Sequence, residues 1–278
     1  MKLSIIIPVY NTPVDYLQEC LQSIKTSHLR VDFEIIIVND GSTNQELISF
    51  LNQYQKPDTT VINKENGGVS SARNLGISIA TGEFLICLDS DDLLMPGINE
   101  AVELLSKNSS YDVIYCDVRF FGDTDFYFRK SEFSLFRLVY VSNFLTPSST
   151  VFRKSVTEHF LFNEALKYSE DKDFFARIAN NGHAFLHTRI SFCNYRKVFD
   201  NLSLSQQNRS LREQSENFIK AQFDPHKIIS KSSVNQYVIN NFKSDKKALL
   251  KMIVIIFFPM VYHQLRKKKM LANDIVVG

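Results

Sequence analysis

Apolar, β-branched runs that alternate with helix-like segments constrain this chain more than any other feature. Four such runs stand near its beginning: 3–9 (LSIIIPV), 33–38 (FEIIIV), 60–62 (TVI) and 83–88 (EFLICL). The first is followed by a segment with apolar residues at helical spacing, and the third by a glycine pair that opens a helix over about 69–80. Strands that are apolar throughout and alternate with helices are typical of a mostly parallel sheet covered on both faces. The sequence therefore predicts an α/β fold with a Rossmann-like central sheet flanked by helices.

Three carboxylates crowd the end of the fourth apolar run. Asp89, Asp91 and Asp92 lie there, with Ser90 between the first two. Ligands of open α/β sheets bind beyond the carboxyl ends of the strands, and oxygen ligands suit Mg²⁺ or Mn²⁺ that also binds phosphates. The cluster indicates a metal and diphosphate site. The alternative is an Asp-rich turn that caps the next helix.

Polar or glycine-rich turns follow the other predicted strands and should gather at the same edge of the sheet. Asp40 can accept the N3–H of uracil or thymine, or it can form only a local turn. Gly67 and Gly68 allow the backbone to approach an anion, and Arg73 adds a cation one helical turn later. Together they suit a pyrophosphate or pair with the nearby carboxylates. The alternative for Arg73 is a structural ion pair with Asp40, because buried acids need partners.

Taken as a set, the motifs resemble glycosyltransferase family 2, which has the GT-A fold. They are IIIPVYN at 5–11, VNDGS at 38–42, NGGVSSARNLG at 66–76, ATGEFLICLDSDD at 80–92, FRKSV at 152–156, FNEALKYSEDKDFFARIANNG at 162–182 and YR at 195–196. The resemblance spans about residues 1–205. It implies a nucleotide-sugar-binding half at 1–117 and an acceptor-binding half at 118–205, followed by a helical C-terminal extension at 206–278.

The resemblance also implies roles for individual residues. Those that would bind the donor nucleotide and diphosphate are Pro8, Tyr10, Asn11, Asp40, Gly68, Arg73, Asp89 and Ser90. Asp91 and Asp92 would bind Mn²⁺ or Mg²⁺. Glu170 and Asp171 would form the catalytic pair, with Asp171 taking the proton from the acceptor hydroxyl in one in-line displacement that inverts the anomeric centre. The structural alternative is that both acids only favour a helix start after an N-cap at Ser169.

Two departures from the family pattern narrow these expectations. Many relatives have a histidine after Tyr195-Arg196, whereas this chain continues with Lys197. Lys197, Asp200 or a mobile loop would have to substitute for it, so the third metal ligand and the lid stay open. His183 and His187, expected on one strand, receive no role. The chain has no tryptophan, so the Q-x-x-R-W signature of processive synthases is absent and transfer of a single sugar is expected.

Composition and missing motifs argue against several other classes of protein. A net charge of +2 gives no reason to expect nucleic acid. The four cysteines form no C-x-x-C pair, as expected for reduced thiols in a cytosolic protein, and no signal peptide precedes the first strand. The turn after the first strand lacks the glycine-rich loop that a dehydrogenase or a nucleotidyltransferase needs.

The later parts of the chain are less regular. Residues 111–121 predict one strand, with Asp117 facing the donor pocket, and 122–136 show no period. Residues 211–222 predict an amphipathic helix. Within 243–269, the apolar stretch 248–262 is flanked by cations and is too short to span a bilayer as a helix. It predicts peripheral attachment to an anionic membrane, or else packing on the protein or a second subunit, with a homodimer left open.

These observations together predict an inverting, metal-dependent glycosyltransferase. It would move one sugar from a UDP- or dTDP-sugar to a glycan hydroxyl in cell-surface polysaccharide or glycoconjugate synthesis. The acceptor is expected to be lipid-linked, and the enzyme to be cytoplasmic and peripheral on the inner face of the plasma membrane. The alternatives are glycan extension on a protein and a paralogue that binds nucleotide sugar without catalysis.

Overall fold

The computed structural model describes residues 1–142, 144–198, 208–224 and 228. The strands are β1 (Lys2–Val9), β2 (Asp32–Asp40), β3 (Thr59–Lys64), β4 (Phe84–Cys87), β5 (Leu93–Leu94), β6 (Val113–Cys116), β7 (Val118–Gly122), β8 (Phe126–Phe128), β9 (Thr150–Arg153), β10 (Phe185–Thr188) and β11 (Cys193–Lys197). The α-helices are α1 (Val14–Thr26), α2 (Gln45–Gln53), α3 (Val69–Ile79), α4 (Ile98–Lys107), α5 (Glu170–Asn180) and α6 (Arg209–Gln222). All four predicted apolar strands and the four predicted helices in the described residues are therefore present.

The main sheet has seven strands in the order β10-β6-β9-β4-β1-β2-β3. Strand β1 pairs in parallel with both β2 and β4, and β2 pairs in parallel with β3. Only β9 runs against its neighbours β4 and β6. The predicted α/β class with a mostly parallel central sheet is confirmed, and the turns after β1, β2, β3 and β4 lie at one edge.

Both faces of this sheet are buried, as the uninterrupted apolar runs predict. Along β1, Ile5 and Ile7 point into one core cluster and Ile6 points into another on the opposite face. The same division repeats along β2 with Ile37 and Ile36. Successive strand residues point to opposite faces, so a run without polar residues requires helices on both sides.

The prediction of one strand over 111–121 is wrong in detail. The chain forms β6 and β7, which belong to different sheets and are separated by Asp117. Strand β7 joins a small second sheet in the order β5-β11-β7-β8. His187 lies on β10, whereas His183 precedes it. The switch between sheets at Asp117 carries the chain from the main core to the hairpin beside the site.

Helix α6 packs against the core on one face of the main sheet. Ile219 and Phe223 are buried in the same core cluster as α5, and the Tyr140 hydroxyl donates to the Phe223 carbonyl. The described helices include none with the length and hydropathy needed to cross a membrane. Segment 243–269, with its apolar stretch, lies outside the described residues, and the proposed domain division stays a prediction.

Candidate active site

The acid cluster forms a tight turn directly beyond β4. Leu88 still donates its N–H to the Ile6 carbonyl (2.8 Å), so the chain leaves the sheet beside β1. The Asp92 N–H then donates to the Asp89 carbonyl (3.0 Å), and the Asp89 N–H donates to Ser148 Oγ (3.0 Å). This turn places three carboxylates at the ligand-binding edge of the sheet.

Burial and mutual repulsion disfavour the charged forms of Asp91 and Asp92. Burial, together with Asp91 and Asp89, raises the pKa of Asp92 well above its usual value, and burial followed by the charge of Asp89 raises the pKa of Asp91 to about 6. Asp92 is fully buried; its Oδ1 accepts the Arg196 N–H (2.9 Å), and its Oδ2 has no hydrogen-bond partner within the described residues. An orphaned buried oxygen beside crowded acids fits a divalent cation of the Mg²⁺ or Mn²⁺ type. In the described part of the chain, no preformed group of three or more metal-ligating side chains is present.

Arg73 joins this cluster to the second acidic pair. Its guanidinium donates to Asp89 Oδ1 (2.7 Å) and to Glu170 Oε1 (2.8 Å), and its side chain is only 4% exposed. The ring of Phe162 lies 5.2 Å from the guanidinium carbon. Arg73 is therefore not the partner of Asp40 that the sequence left open. It connects α3, the turn after β4 and the start of α5 at one point.

The start of α5 presents the predicted catalytic pair. Ser169 occupies the N-cap position, but with a φ of 58° and no capping hydrogen bond from its side chain, so the predicted Ser169 cap is not formed. The Asp171 carboxylate accepts the Lys172 N–H (2.7 Å). Asp171 also lines an open cavity of about 860 Å³. The acid is thus accessible to a substrate, unlike Asp92.

Tyr195, on β11, lines the same cavity as Glu170 and Asp171. Burial raises its pKa well above the usual value, and the charges of Asp92, Asp89, Asp91 and Asp171 act in the same direction. The negative charges of the acid cluster and of Asp171 therefore both act on the Tyr195 hydroxyl. The contacts of Arg73 place Asp89 and Glu170 in one region, and the roles of the acids stay predictions.

Arg196, the next residue on β11, secures the turn of the cluster. Its guanidinium lies over the rings of Tyr16 and Phe121, at 4.1 and 4.4 Å from their centroids. Its Nε donates to the Asp91 carbonyl (2.9 Å), and it pairs with Glu19 (2.5 Å). Lys197 lines the cavity, whereas Asp200 lies outside the described residues.

Asp40 sits in an anion-binding turn of its own. Its Oδ1 accepts from Lys64 Nζ (2.6 Å) and from the Gly67 N–H (2.9 Å), and its Oδ2 accepts from the Gly68 N–H (2.7 Å). Gly68 has a φ of +89°, a conformation that favours glycine. The glycine pair therefore surrounds the Asp40 carboxylate in this structure, and Lys64 is the cation that sequence reasoning missed.

The remaining predicted donor residues lie around the end of β1. Asn11, with a φ of 50°, accepts at Oδ1 from the Thr43 N–H (2.8 Å) and the Asn44 N–H (3.0 Å), which ties the turn after β1 to the turn after β2. Pro8 is buried within β1, and Tyr10 is exposed. Ser90 shares a hydrogen bond with the Thr12 hydroxyl (2.7 Å).

Asp117 has a structural environment that was not predicted. It accepts the Lys130 N–H (2.7 Å) and contacts His187 Nε2 (2.8 Å), and it is buried. The His187 ring stacks on Tyr115. Lys130 itself, a buried cavity residue, lies in the stretch without periodicity, and no sequence signal marked it.

The architecture has the GT-A fold. The crystal structure of S. aureus TarS 1-349 in complex with UDP-GlcNAc aligns with a TM-score of 0.61 and 22% identity, over 91% of this chain and 78% of that one. The family model described as Glycosyl transferase family 2 matches residues 4–169. The chain belongs to glycosyl transferase family 2.

Two curated relatives show how far the likeness extends. An uncharacterized glycosyltransferase of Methanocaldococcus jannaschii is 28% identical over 193 residues, which cover 66% of each chain. The poly(ribitol-phosphate) beta-glucosyltransferase of Bacillus spizizenii is 43% identical over 99 residues, 34% of this chain and 15% of that protein. This chain thus spans just under two thirds of the first relative and a small part of the second.

Proposed function

We propose that this protein is an inverting, metal-dependent glycosyltransferase that moves one sugar from a UDP- or dTDP-sugar to a hydroxyl of a glycan acceptor. The observation that carries the proposal is the Arg73 bridge between Asp89 and Glu170. It puts the acids expected at the donor beside the acids expected at the reacting centre. A donor diphosphate and an acceptor hydroxyl can then occupy one cleft.

Asp171 is the proposed general base. It lines the cavity at the start of α5, where an acceptor hydroxyl can approach a donor sugar from the side opposite the diphosphate. Removal of the hydroxyl proton by Asp171 as the new bond forms gives a single displacement with inversion. Glu170, paired with Arg73, orients the helix start.

Asp91 and Asp92 would hold the Mn²⁺ or Mg²⁺ ion. When bound, such an ion offsets the charge that develops on the leaving nucleoside diphosphate. The orphaned Asp92 Oδ2 and the raised pKa of Asp91 support this assignment, since both groups gain from a nearby cation. Pro8, Tyr10, Asn11, Asp40, Gly68, Arg73, Asp89 and Ser90 remain the proposed donor-binding set.

The nature of the substrates rests on the relatives. The TarS structure contains UDP-GlcNAc, which supports a UDP-sugar donor. The Bacillus spizizenii relative is named for transfer to poly(ribitol-phosphate), which supports a role in cell-surface polymer synthesis.

A lipid-linked acceptor at the inner face of the membrane, reached through 243–269, belongs to the same proposal. Liposome flotation of the full chain against a truncation at residue 242 tests it, and equal flotation would remove the membrane role.

Donor hydrolysis tests the enzymatic proposal. We expect release of UDP or dTDP from one member of a sugar-nucleotide panel with Mn²⁺, and loss of that release with EDTA. Asp171→Asn should lower turnover about a thousandfold while nucleotide binding persists. Asp32→Asn, an exposed acid at the far end of β2, is the matched control. Nucleotide binding without turnover in the unaltered chain would favour a non-catalytic paralogue instead.

A further inference from the structure

Basic side chains outnumber acidic ones around the cavity that holds Asp171. Its charged lining residues are the cations Lys130, Lys167, Lys197 and Arg212 and the acids Glu170 and Asp171. The charge of Glu170 is already matched by Arg73, which lies outside the lining. Four cations and two acids thus line this cavity, although the whole chain is nearly neutral.

Three of these cations are available to a ligand. Lys167, Lys197 and Arg212 are exposed. None forms an ion pair or side-chain hydrogen bond with another residue of the described ranges. They come from three separate segments, the loop before α5, the end of β11 and the first turn of α6, so they converge only in the folded chain. Several exposed cations around a concave site attract an anionic ligand.

Lys130 differs from these three. It is buried, its Nζ donates to Ser149 Oγ, and burial lowers its pKa. Its backbone N–H is bound by Asp117. Lys130 therefore forms part of the cavity wall. We assign the binding of an anionic ligand group to the three exposed cations.

Aromatic rings form another part of the cavity lining. The rings of Phe120 and Phe126 stack at 4.6 Å, and Phe128 lies edge-on to Phe120. Phe126 and Phe128 are 49% and 41% exposed, although they belong to a cavity lining. Exposed aromatic rings next to a polar site present flat apolar surface to a bound ring or chain. This part of the lining therefore suits the carbon skeleton of a sugar or polyol.

We propose that the acceptor carries an anionic group, phosphate or carboxylate, which Lys167, Lys197 and Arg212 bind while its sugar or polyol skeleton lies against the antiparallel pair β7 and β8. This inference rests on the proposed transferase function, because it assigns the cavity beside Asp171 to the acceptor. The donor diphosphate is assigned elsewhere, to the acid cluster with its cation and Arg73. The two anions would thus be bound by different parts of the cleft.

Binding of three matched probes tests the proposal. Methyl glucoside, methyl glucuronide and methyl glucoside 6-phosphate differ only in the group at carbon 6, and their dissociation constants are measurable by saturation-transfer NMR on the full chain with UDP and the diamagnetic ion Mg²⁺ present. We expect at least one charged probe to bind about tenfold more tightly than the neutral one. The preferred probe separates phosphate from carboxylate. The preference should weaken as salt is raised, because the three cations are exposed.

The double variant Lys167→Gln/Arg212→Gln should remove that preference and leave UDP binding unchanged. Lys25→Gln/Arg30→Gln removes the same two charge types from an exposed region remote from the cavity and should keep it. Equal affinity for charged and neutral probes, failure of the charged probes to bind, or loss of preference in both double variants would overturn the inference. Failure of the proposed enzymatic function would be recognised separately, as absence of donor hydrolysis.

Discussion

Arg73 donates to Glu170 Oε1 at 2.8 Å, across 97 positions of sequence, while its other terminal nitrogen donates to Asp89 Oδ1 at 2.7 Å. The guanidinium is planar and can serve two carboxylates at once, which a lysine ammonium does less well. This one side chain therefore fixes the distance between the turn after β4 and the first turn of α5. The relative placement of the two acidic groups depends on it.

Arg73→Gln should strongly destabilise the protein. The change leaves two partly buried carboxylates without their cation, and breaking a buried ion pair from one side costs about 3–5 kcal/mol. Urea denaturation at neutral pH measures the loss. Arg30→Gln breaks the exposed pair with Glu100 and should cost less than about 1 kcal/mol. Equal losses in the two variants would contradict the bridging role.

The second prediction concerns the contact between α6 and α5. Lys172 is 2% exposed and donates to Glu216 Oε2 at 2.7 Å, so α6 supplies the counter-charge for a residue next to Asp171. Glu216→Gln should cost about 3 kcal/mol, because it leaves a buried ammonium without an acid. It should also lower turnover by loosening the start of α5. Thermal unfolding and donor hydrolysis measure the two effects.

Glu213→Gln is the control on the same helix. Glu213 is exposed, and its replacement should change neither stability nor turnover noticeably. If Glu216→Gln behaved like this control, α6 would not position the start of α5. The comparison separates the Lys172–Glu216 pair from a general effect of charge on α6.

The main sheet was predictable from sequence because its signal is local. Each buried strand is an uninterrupted apolar run, and each run ends in a polar turn. The α/β fold class and the edge of the sheet where ligands bind both follow from this pattern. The partners inside the site were not predictable. The sequence allows Arg73 to bind a diphosphate, to pair with nearby carboxylates or to pair with Asp40, and it does not indicate that the partners are Asp89 and Glu170 together, because Glu170 lies 97 positions away in sequence.

The small second sheet illustrates the same limit. Residues 111–121 alternate well enough for one strand, and no residue type marks the switch at Asp117. The break depends on Lys130 and His187, which approach Asp117 from later parts of the chain. Tertiary contacts of this kind override a local pattern.

Gly76 provides the third prediction. A Cβ at this position of α3 would overlap Ile6 Cγ2 on β1, so the helix can lie this close to the sheet only with glycine there. Gly76→Ala should cost about 1–3 kcal/mol through overpacking, despite the better helix propensity of alanine. Urea denaturation measures the loss. Ser78→Ala, exposed on the same helix, should be nearly neutral, and an equally neutral Gly76→Ala would show that α3 can shift.

The last prediction is a pH dependence at the amino-terminal edge of the sheet. Partial burial alone would raise the pKa of Glu34, but hydrogen bonds from Ser4, Thr81 and Lys2 outweigh it and lower that pKa to about 2 from 4.5. The charged form is thus favoured by folding, so its contribution to stability is present above about pH 4.5 and is lost as the pH falls toward 2. A shift of this size corresponds to about 3 kcal/mol, which solvent screening of a side chain 20% exposed reduces to about 2.

Glu34→Gln should therefore lower the free energy of unfolding by about 2 kcal/mol at pH 7. The difference from the unaltered chain should shrink steadily below pH 4.5 and vanish only below about pH 2, where the carboxyl group is protonated in both states. Urea denaturation across this pH range provides the measurement. Glu100→Gln, whose partner Arg30 is exposed, should show a small difference with little dependence on pH. A Glu34→Gln difference that stays constant with pH would mean that packing, and not the carboxylate charge, stabilises this edge of the sheet.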